Sequence, residues 1–385
     1  MGKTEKGKYI LLITLYIFIN TLFIYKYGQR QDIIPLTIVF VIYAFLVSSA
    51  IVTFYLKVGV KIHKKWLSYL YWFIVGVFTL TFSFIVYKID GESLNVGRWS
   101  ALELTIQGIT EGIYPYSRID YLGNMSSNFP ALGFLGLPFY LLGDVGYLQV
   151  FTYILFSIYV YKTPILTKTS FLILFLFLIS PAMIWEIFAK SDLVSNLMLV
   201  ILFIEYWSKK YNKSNFEHPI ILGSIISFFC LTRGVVLVPL ALFFLKKFWF
   251  CDTTTKIKLT ASILVTSIII CLPTIASAPE YQTIIDYNPI ILQTNKSPVI
   301  SYVILCAVFI LPWYLKNHND YLYYSTLILF TIPFISMIYK IQQLGWDTTI
   351  FESQFDISYL SMSIPPILIW LMNKSNVDFK QNNLE

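Results

Sequence analysis

The acids of one segment raise the chemical question. Between Ile89 and Pro130 the chain reads IDGESLNVGRWSALELTIQGITEGIYPYSRIDYLGNMSSNFP, with Asp90, Glu92, Glu103, Glu111 and Asp120 set around Arg98 and Arg118. It is the longest polar stretch in an otherwise apolar chain, and a long polar loop is where binding and catalytic residues concentrate. Asp90 and Glu92 place two carboxylates at its entrance. One could accept a proton while a nearby cation keeps it ionised. Simple solvation of acids at a helix exit accounts for them as well, and both readings stay open.

Three further groups of residues could handle an anion. Arg98-Trp99-Ser100-Ala101-Leu102-Glu103 has the apolar spacing of a short amphipathic helix lying on a membrane surface. There Arg98 could fork onto a phosphate, or pair with an acid such as Glu103, which at i+5 is a poor helical partner. Glu186 to Asn196 is a polar turn in which Ser191 or Asp192 is a plausible helix N-cap. Capping competes directly with chemistry at Asp192, whereas Lys190 has no such structural role to explain it. In Leu231-Thr232-Arg233-Gly234 an arginine interrupts an apolar run, where a charge is costly unless it is paired or faces a polar cavity. Snorkelling is the alternative, but Gly234 and Pro239 imply a helix break that aims Arg233 inward.

These groups need a scaffold, and composition defines it. Of 385 residues, 57% are hydrophobic and 13% charged, and mean hydropathy is +0.69. Soluble domains carry roughly a quarter charged residues. Repeated apolar runs of spanning length predict an all-α polytopic membrane protein with about 11–13 transmembrane helices. The candidate spans are 9–25, 34–56, 66–88, 145–161, 170–187, 193–208, 219–232, 234–246, 259–275, 298–315, 322–339 and 357–372. The first is read as a retained helix because no small-residue cleavage site follows it. The chain is expected to form a single membrane domain, 1–385, with a first extracytoplasmic loop at 89–143. Within that loop 131–143, too short to span, is expected to be a re-entrant or interfacial helix. A polar cytoplasmic tail, 373–385, is expected to fray.

The positive-inside rule sets the orientation. With a cytoplasmic N-terminus, the lysines at 57–65, 162–168, 209–213, 246–258, 316 and 374–380 all fall inside. The acidic loop, Lys190, Asp192, Arg233 and the 276–297 and 340–356 loops fall outside. His63, His218 and His318 are then cytoplasmic, leaving carboxylates to do any acid–base work on the outer face. The net charge of +7 follows this segregation and does not imply nucleic acid. Cys230, Cys251, Cys271 and Cys306 show no metal-ligand or disulfide spacing and are expected to be small buried hydrophobes. The N-x-S matches at Asn124, Asn212, Asn295 and Asn373 are too short to carry weight. No cofactor is indicated, and a divalent metal has no support.

In their order along the chain these motifs resemble the GT-C superfamily of integral membrane glycosyltransferases, in particular its bacterial mannosyltransferase-like members. The resemblance rests on a large first outer loop with an acid at its start, on Arg98-Trp99-Ser100-Ala101, Gly112-Ile113-Tyr114-Pro115-Tyr116 and the Gly123-Asn124 to Pro130 run, and on LPFYLLGDVGYLQ, KSDLVSN and LTRGVVLVPL. It covers about residues 85–245. It implies a polyprenyl phosphate sugar as donor, a lipid or glycan acceptor, transfer on the outer face of a bacterial cytoplasmic membrane and inversion at the sugar carbon. It implies Asp90 or Glu92 as the base, with Arg98, Lys190, Asp192, Arg233 and Asn124 at the donor phosphate and substrate. The chain departs from the pattern at one point: relatives tend to carry Asp directly before Arg-Trp-Ser, and here that residue is Gly97. A transporter or flippase, a polysaccharide polymerase or ligase, and an inactive scaffold are the competing classes. The asymmetric early loop and the lack of an internal repeat weigh against a transporter.

Overall fold

The computed structural model describes residues 3–30, 33–55, 64–162, 168–212, 214–294 and 298–382. Lys57, Lys61, His63, Lys213 and Asn295, used above, lie outside them. The described residues form helices and no strand. In order these are α1 (Lys3–Gly28), α2 (Leu36–Tyr55), α3 (Lys64–Lys88), α4 (Arg98–Glu111), α5 (Pro130–Leu141), α6 (Tyr147–Tyr161), α7 (Lys168–Leu178) and α8 (Pro181–Phe188). Next come α9 (Leu193–Lys210), α10 (Pro219–Cys230), α11 (Leu237–Trp249), α12 (Thr253–Ala276), α13 (Tyr281–Asp286), α14 (Pro289–Thr294) and α15 (Val299–Cys306). The chain closes with α16 (Asp320–Leu344), α17 (Trp346–Ile350), α18 (Ser358–Ser361) and α19 (Ile364–Asn382).

Among the described residues four helices are long and apolar enough to cross a membrane: Glu5–Gly28, Lys65–Lys88, Thr253–Ala276 and Asp320–Leu344. A fifth span is made if α7 and α8, bent by 54° at their break, act as one. Exposed Phe73 and Leu80 on α3 and Ile268 and Ile269 on α12 give these two helices the apolar exterior that lipid requires. Several expected spans are shorter or interrupted. The 298–315 run is α15 followed by two short 3-10 turns, and 170–187 is the bent pair. Helix α19 carries the chain past 373 to Asn382.

The chain clusters into two compact units, where the sequence offered no internal boundary. One comprises Met1–Phe84, Val150–Ile187 and Lys316–Glu385. Its buried face of α1 includes Leu12, Tyr16, Ile19 and Phe23. Where α7 gives way to α8, the backbone loses its helical partners. Asn20 of α1 supplies replacements, its Oδ1 accepting from Ser180 Oγ at 2.6 Å and from the Ala182 amide at 3.1 Å. Lys8 pairs with Asp320 at 2.8 Å and Lys374 with Glu5 at 2.5 Å, tying α1 to α16 and α19.

The second unit, Ile85–Gln149 and Phe188–Leu315, holds every residue the sequence proposed for chemistry. Helix α4 ends at Gly112, whose φ of +70° and amide bond to the Gly108 carbonyl make a left-handed C-cap. Leu102 and Ile106 of α4 form a core with Leu132 of α5 and Val145, flanked by Trp99, Leu135, Leu137 and Tyr140. The two helices approach closely because α5 offers Gly133 against Thr105 and Ile109, and Gly136 against Leu102 and Ile106. Helix α5 is 12 residues long, starts on Pro130 and ends among exposed leucines, Leu141 and Leu142. That matches the short, non-spanning segment the sequence predicted.

Candidate functional site

The interrupted apolar run around Arg233 is a true break. Helix α10 stops at Cys230, Arg233 is extended, and a 3-10 turn over Gly234–Val236 leads into α11. A helix end leaves carbonyls without partners and a helix start leaves amides without them. Here the two needs meet: the Phe129 amide donates to Thr232 O at 3.3 Å and the Ala131 amide to Leu231 O at 3.0 Å. The start of α5 is thereby docked on the break. Asn196 of α9 adds a bond of 2.8 Å from Nδ2 to Thr232 Oγ1, and that hydroxyl donates to Phe229 O.

Arg233 does not snorkel. It is buried, and Nε and Nη2 donate to the two carboxylate oxygens of Asp192 at 2.6 and 2.7 Å. Asp192 sits at the N-cap position of α9 but makes no side-chain capping bond, so the capping reading fails because the guanidinium takes both oxygens. Burial pushes the Asp192 carboxyl up. The Arg233 guanidinium, in contact, and the Arg98 charge from the start of α4 outweigh it and hold the group below its ordinary range. Three residues singled out from separate stretches of sequence therefore share one electrostatic environment.

Lys190 does have a structural partner, contrary to expectation: its ammonium pairs with Asp144. It is buried and holds φ at +48°, a left-handed conformation unusual for a side chain with a Cβ. The next residue, Ser191, accepts a bond at its carbonyl from the Gln149 amide. Gly146 leaves room for the pair, since a Cβ there would lie 2.9 Å from Asp144 Oδ1 and 3.0 Å from Lys190 Cγ. Glu103, half-buried on α4, is drawn into the same field. Burial and the Asp144 charge push its carboxyl up to about 7, with Lys190 opposing. Neither Glu103 nor Asp144 was among the residues assigned a role from sequence. Their periodicity is that of ordinary helix and turn acids, so only the fold marks them.

Asp90 is exposed and caps the one-turn helix Gly91–Ser93, its Oδ1 accepting from the Glu92 amide at 3.1 Å. Glu92 is exposed too. Among the described residues neither bonds to Arg98, Lys190, Asp192 or Arg233 through its side chain. Asn124 is exposed, and its backbone rather than its side chain is engaged: its amide donates to Asp120 Oδ1 and its carbonyl accepts from the Asp120 amide, each at 2.8 Å.

Asp120 is the unforeseen member of this loop. It is buried, and Oδ1 accepts from the amides of Leu122, at 2.9 Å, and Asn124. Oδ2 lies against Gly97, where a Cβ would stand 2.2 Å from it. Tyr121 bolts this hairpin to the preceding segment by bonding the carbonyls of Leu94 and Val96 and stacking on Trp99.

Among the described residues no group of three or more His, Cys, Asp or Glu is placed to hold a metal ion. Cys230, Cys251 and Cys271 are half-buried and Cys306 is exposed, which is less burial than expected. The fold and site define a class: an all-helical protein with apolar helices of membrane-spanning length and a buried, charge-paired polar site in one unit. Comparison with protein-family models, curated proteins and solved structures finds no match for this chain.

Proposed function

We propose that this chain is a membrane glycosyltransferase that moves a sugar from a polyprenyl phosphate donor to a lipid or glycan acceptor on the extracytoplasmic face of the membrane. The observation that carries the reading is the two-point fork of Arg233 on the buried Asp192, a carboxylate on which the Arg98 charge also acts. Two guanidinium groups in a water-poor setting favour an anion strongly. The fork to Asp192 leaves Nη1 of Arg233 outside it, available for a phosphate oxygen. Apolar helices in the same chain suit a donor whose lipid stays in the bilayer. Helix α5, short and tipped with exposed leucines, would sit at the interface between the two.

In this scheme a carboxylate of the 89–130 segment takes the proton of the acceptor hydroxyl as that oxygen attacks the anomeric carbon. The bond to the lipid phosphate breaks, its electron pair passing to the phosphate, and Arg98 and Arg233 stabilise the charge that develops there. Single-step displacement inverts the sugar carbon. With the termini cytoplasmic, the whole site faces outward.

Incubation of the purified protein with radiolabelled polyprenyl phosphate hexoses and pentoses tests the reading. Sugar release, or transfer to lipid or glycan, is expected with one donor and lost in Arg233→Ala. Absence of both donor binding and turnover overturns it. Substrate uptake into vesicles in its place would make the chain a transporter.

A further inference from the structure

The glycosyl-transfer scheme needs a carboxylate with a fixed position and an unengaged oxygen. Asp90 and Glu92 are exposed at the surface of the unit, and Asp90 is engaged in its own turn. Asp120 has the required geometry. Two backbone amides grip Oδ1, fixing the side-chain torsions. The backbone is fixed as well: its amide donates to Asn124 O at 2.8 Å and its carbonyl accepts from the Gly123 amide at 2.9 Å. Oδ2 has no hydrogen-bond partner among the described residues and lies beside Gly97, the N-cap residue of α4. Gly97 has no side chain to cap that helix, so the Asp120 carboxylate stands where a capping side chain would, next to Arg98.

We propose that Asp120 is the proton-accepting group of the site, its Oδ2 placed across the chain into space left open by Gly97. This rests on the glycosyl-transfer reading. The acceptor O–H proton passes to Oδ2 as the oxygen–carbon bond forms. The anomeric carbon–phosphate oxygen bond breaks, and the products are the glycoside, the polyprenyl phosphate and a protonated Asp120. A base held by one oxygen and free at the other needs no reorganisation at the moment of transfer.

The test uses full-length protein and the donor that the panel above identifies. Asp120→Asn keeps an oxygen for the Leu122 and Asn124 amides but cannot accept the proton. Transfer is expected to fall at least about a hundredfold while donor binding stays within about threefold. The paired variant Gly97→Asp with Asp120→Gly returns a carboxylate to the same space from the opposite segment, where removal of the Asp120 side chain leaves room for it. It is expected to regain at least about tenfold over Asp120→Asn. Retention of transfer by Asp120→Asn, or a folded paired variant no more active than Asp120→Asn, overturns the proposal. Failure of the unmodified protein to bind or turn over any donor instead overturns the glycosyl-transfer reading beneath it.

Discussion

Asp192 and Arg233, 41 residues apart in sequence, meet in a two-point fork in which each carboxylate oxygen takes one guanidinium N–H. Both side chains are buried, so removal of either leaves an uncompensated charge away from water. Breaking such a pair costs about 3–5 kcal/mol. Arg233→Ala and Asp192→Ala are each expected to lower the unfolding midpoint of the detergent-solubilised protein strongly. The double variant is expected to lose less than the two losses added together. Thermal unfolding of the four proteins in a double-mutant cycle measures that coupling, and strict additivity would mean the fork contributes nothing of its own.

Glu103 makes stability depend on pH. Its carboxyl is raised in the fold to about 7 from an ordinary 4.5. Between those values the folded protein holds a proton that the unfolded chain has lost, so this group stabilises the fold in acid and the contribution drains away as pH climbs to about 7. Glu103→Gln is expected to flatten that slope and to melt above the unmodified protein at pH 8. Melting curves across pH 4.5–8 decide it; identical slopes would show that burial and Asp144 do not raise this carboxyl in the fold.

Lys190 combines a strained backbone with an ion pair. Glycine relieves the positive φ and alanine does not, while both remove the ammonium from Asp144. Lys190→Gly is therefore expected to be more stable than Lys190→Ala by about 1 kcal/mol. Equal midpoints would mean that the turn relaxes once the pair is gone.

Helices α10 and α12 touch through Gly223. A Cβ there would stand 1.9 Å from Ser262 Oγ and 2.7 Å from the Leu259 carbonyl. The serine can rotate but the backbone carbonyl cannot, so Gly223→Ala is expected to cost about 1–3 kcal/mol. Adding Ser262→Ala is expected to recover only part of it. Gly76, where a Cβ meets nothing within 4 Å, is the control, and Gly76→Ala is expected to be neutral or mildly stabilising.

The sequence carried the parts of this fold that depend on local order. Gly234 and Pro239 announced the break at Arg233, and the short apolar run over 131–143 announced α5. It did not carry the pairings. Lys190 finds Asp144 46 residues away, and Asp120 reaches Gly97 across a hairpin; neither partner sits at a helical or strand repeat that pattern reading could detect. Asp192 is a case of the same kind: its place at the start of α9 is local and legible, but the guanidinium that takes its side chain comes from the extended break after α10. Glu103 looked like any acid on an amphipathic helix because its environment is built by residues 144 and 190. The bend between α7 and α8 was not legible because hydropathy stays high through it.

That bend has a consequence for how the protein is made. The elbow at Ser180–Ala182 is relieved by Asn20 of α1, 160 positions earlier in the chain. When α7 and α8 emerge, the group that solvates their junction is already synthesised, and the elbow need not face hydrocarbon with bare amides. A chain deprived of α1 would lose a span and also the receptor for a later one, and quality control in the membrane would meet it as a misinserted α7–α8 pair.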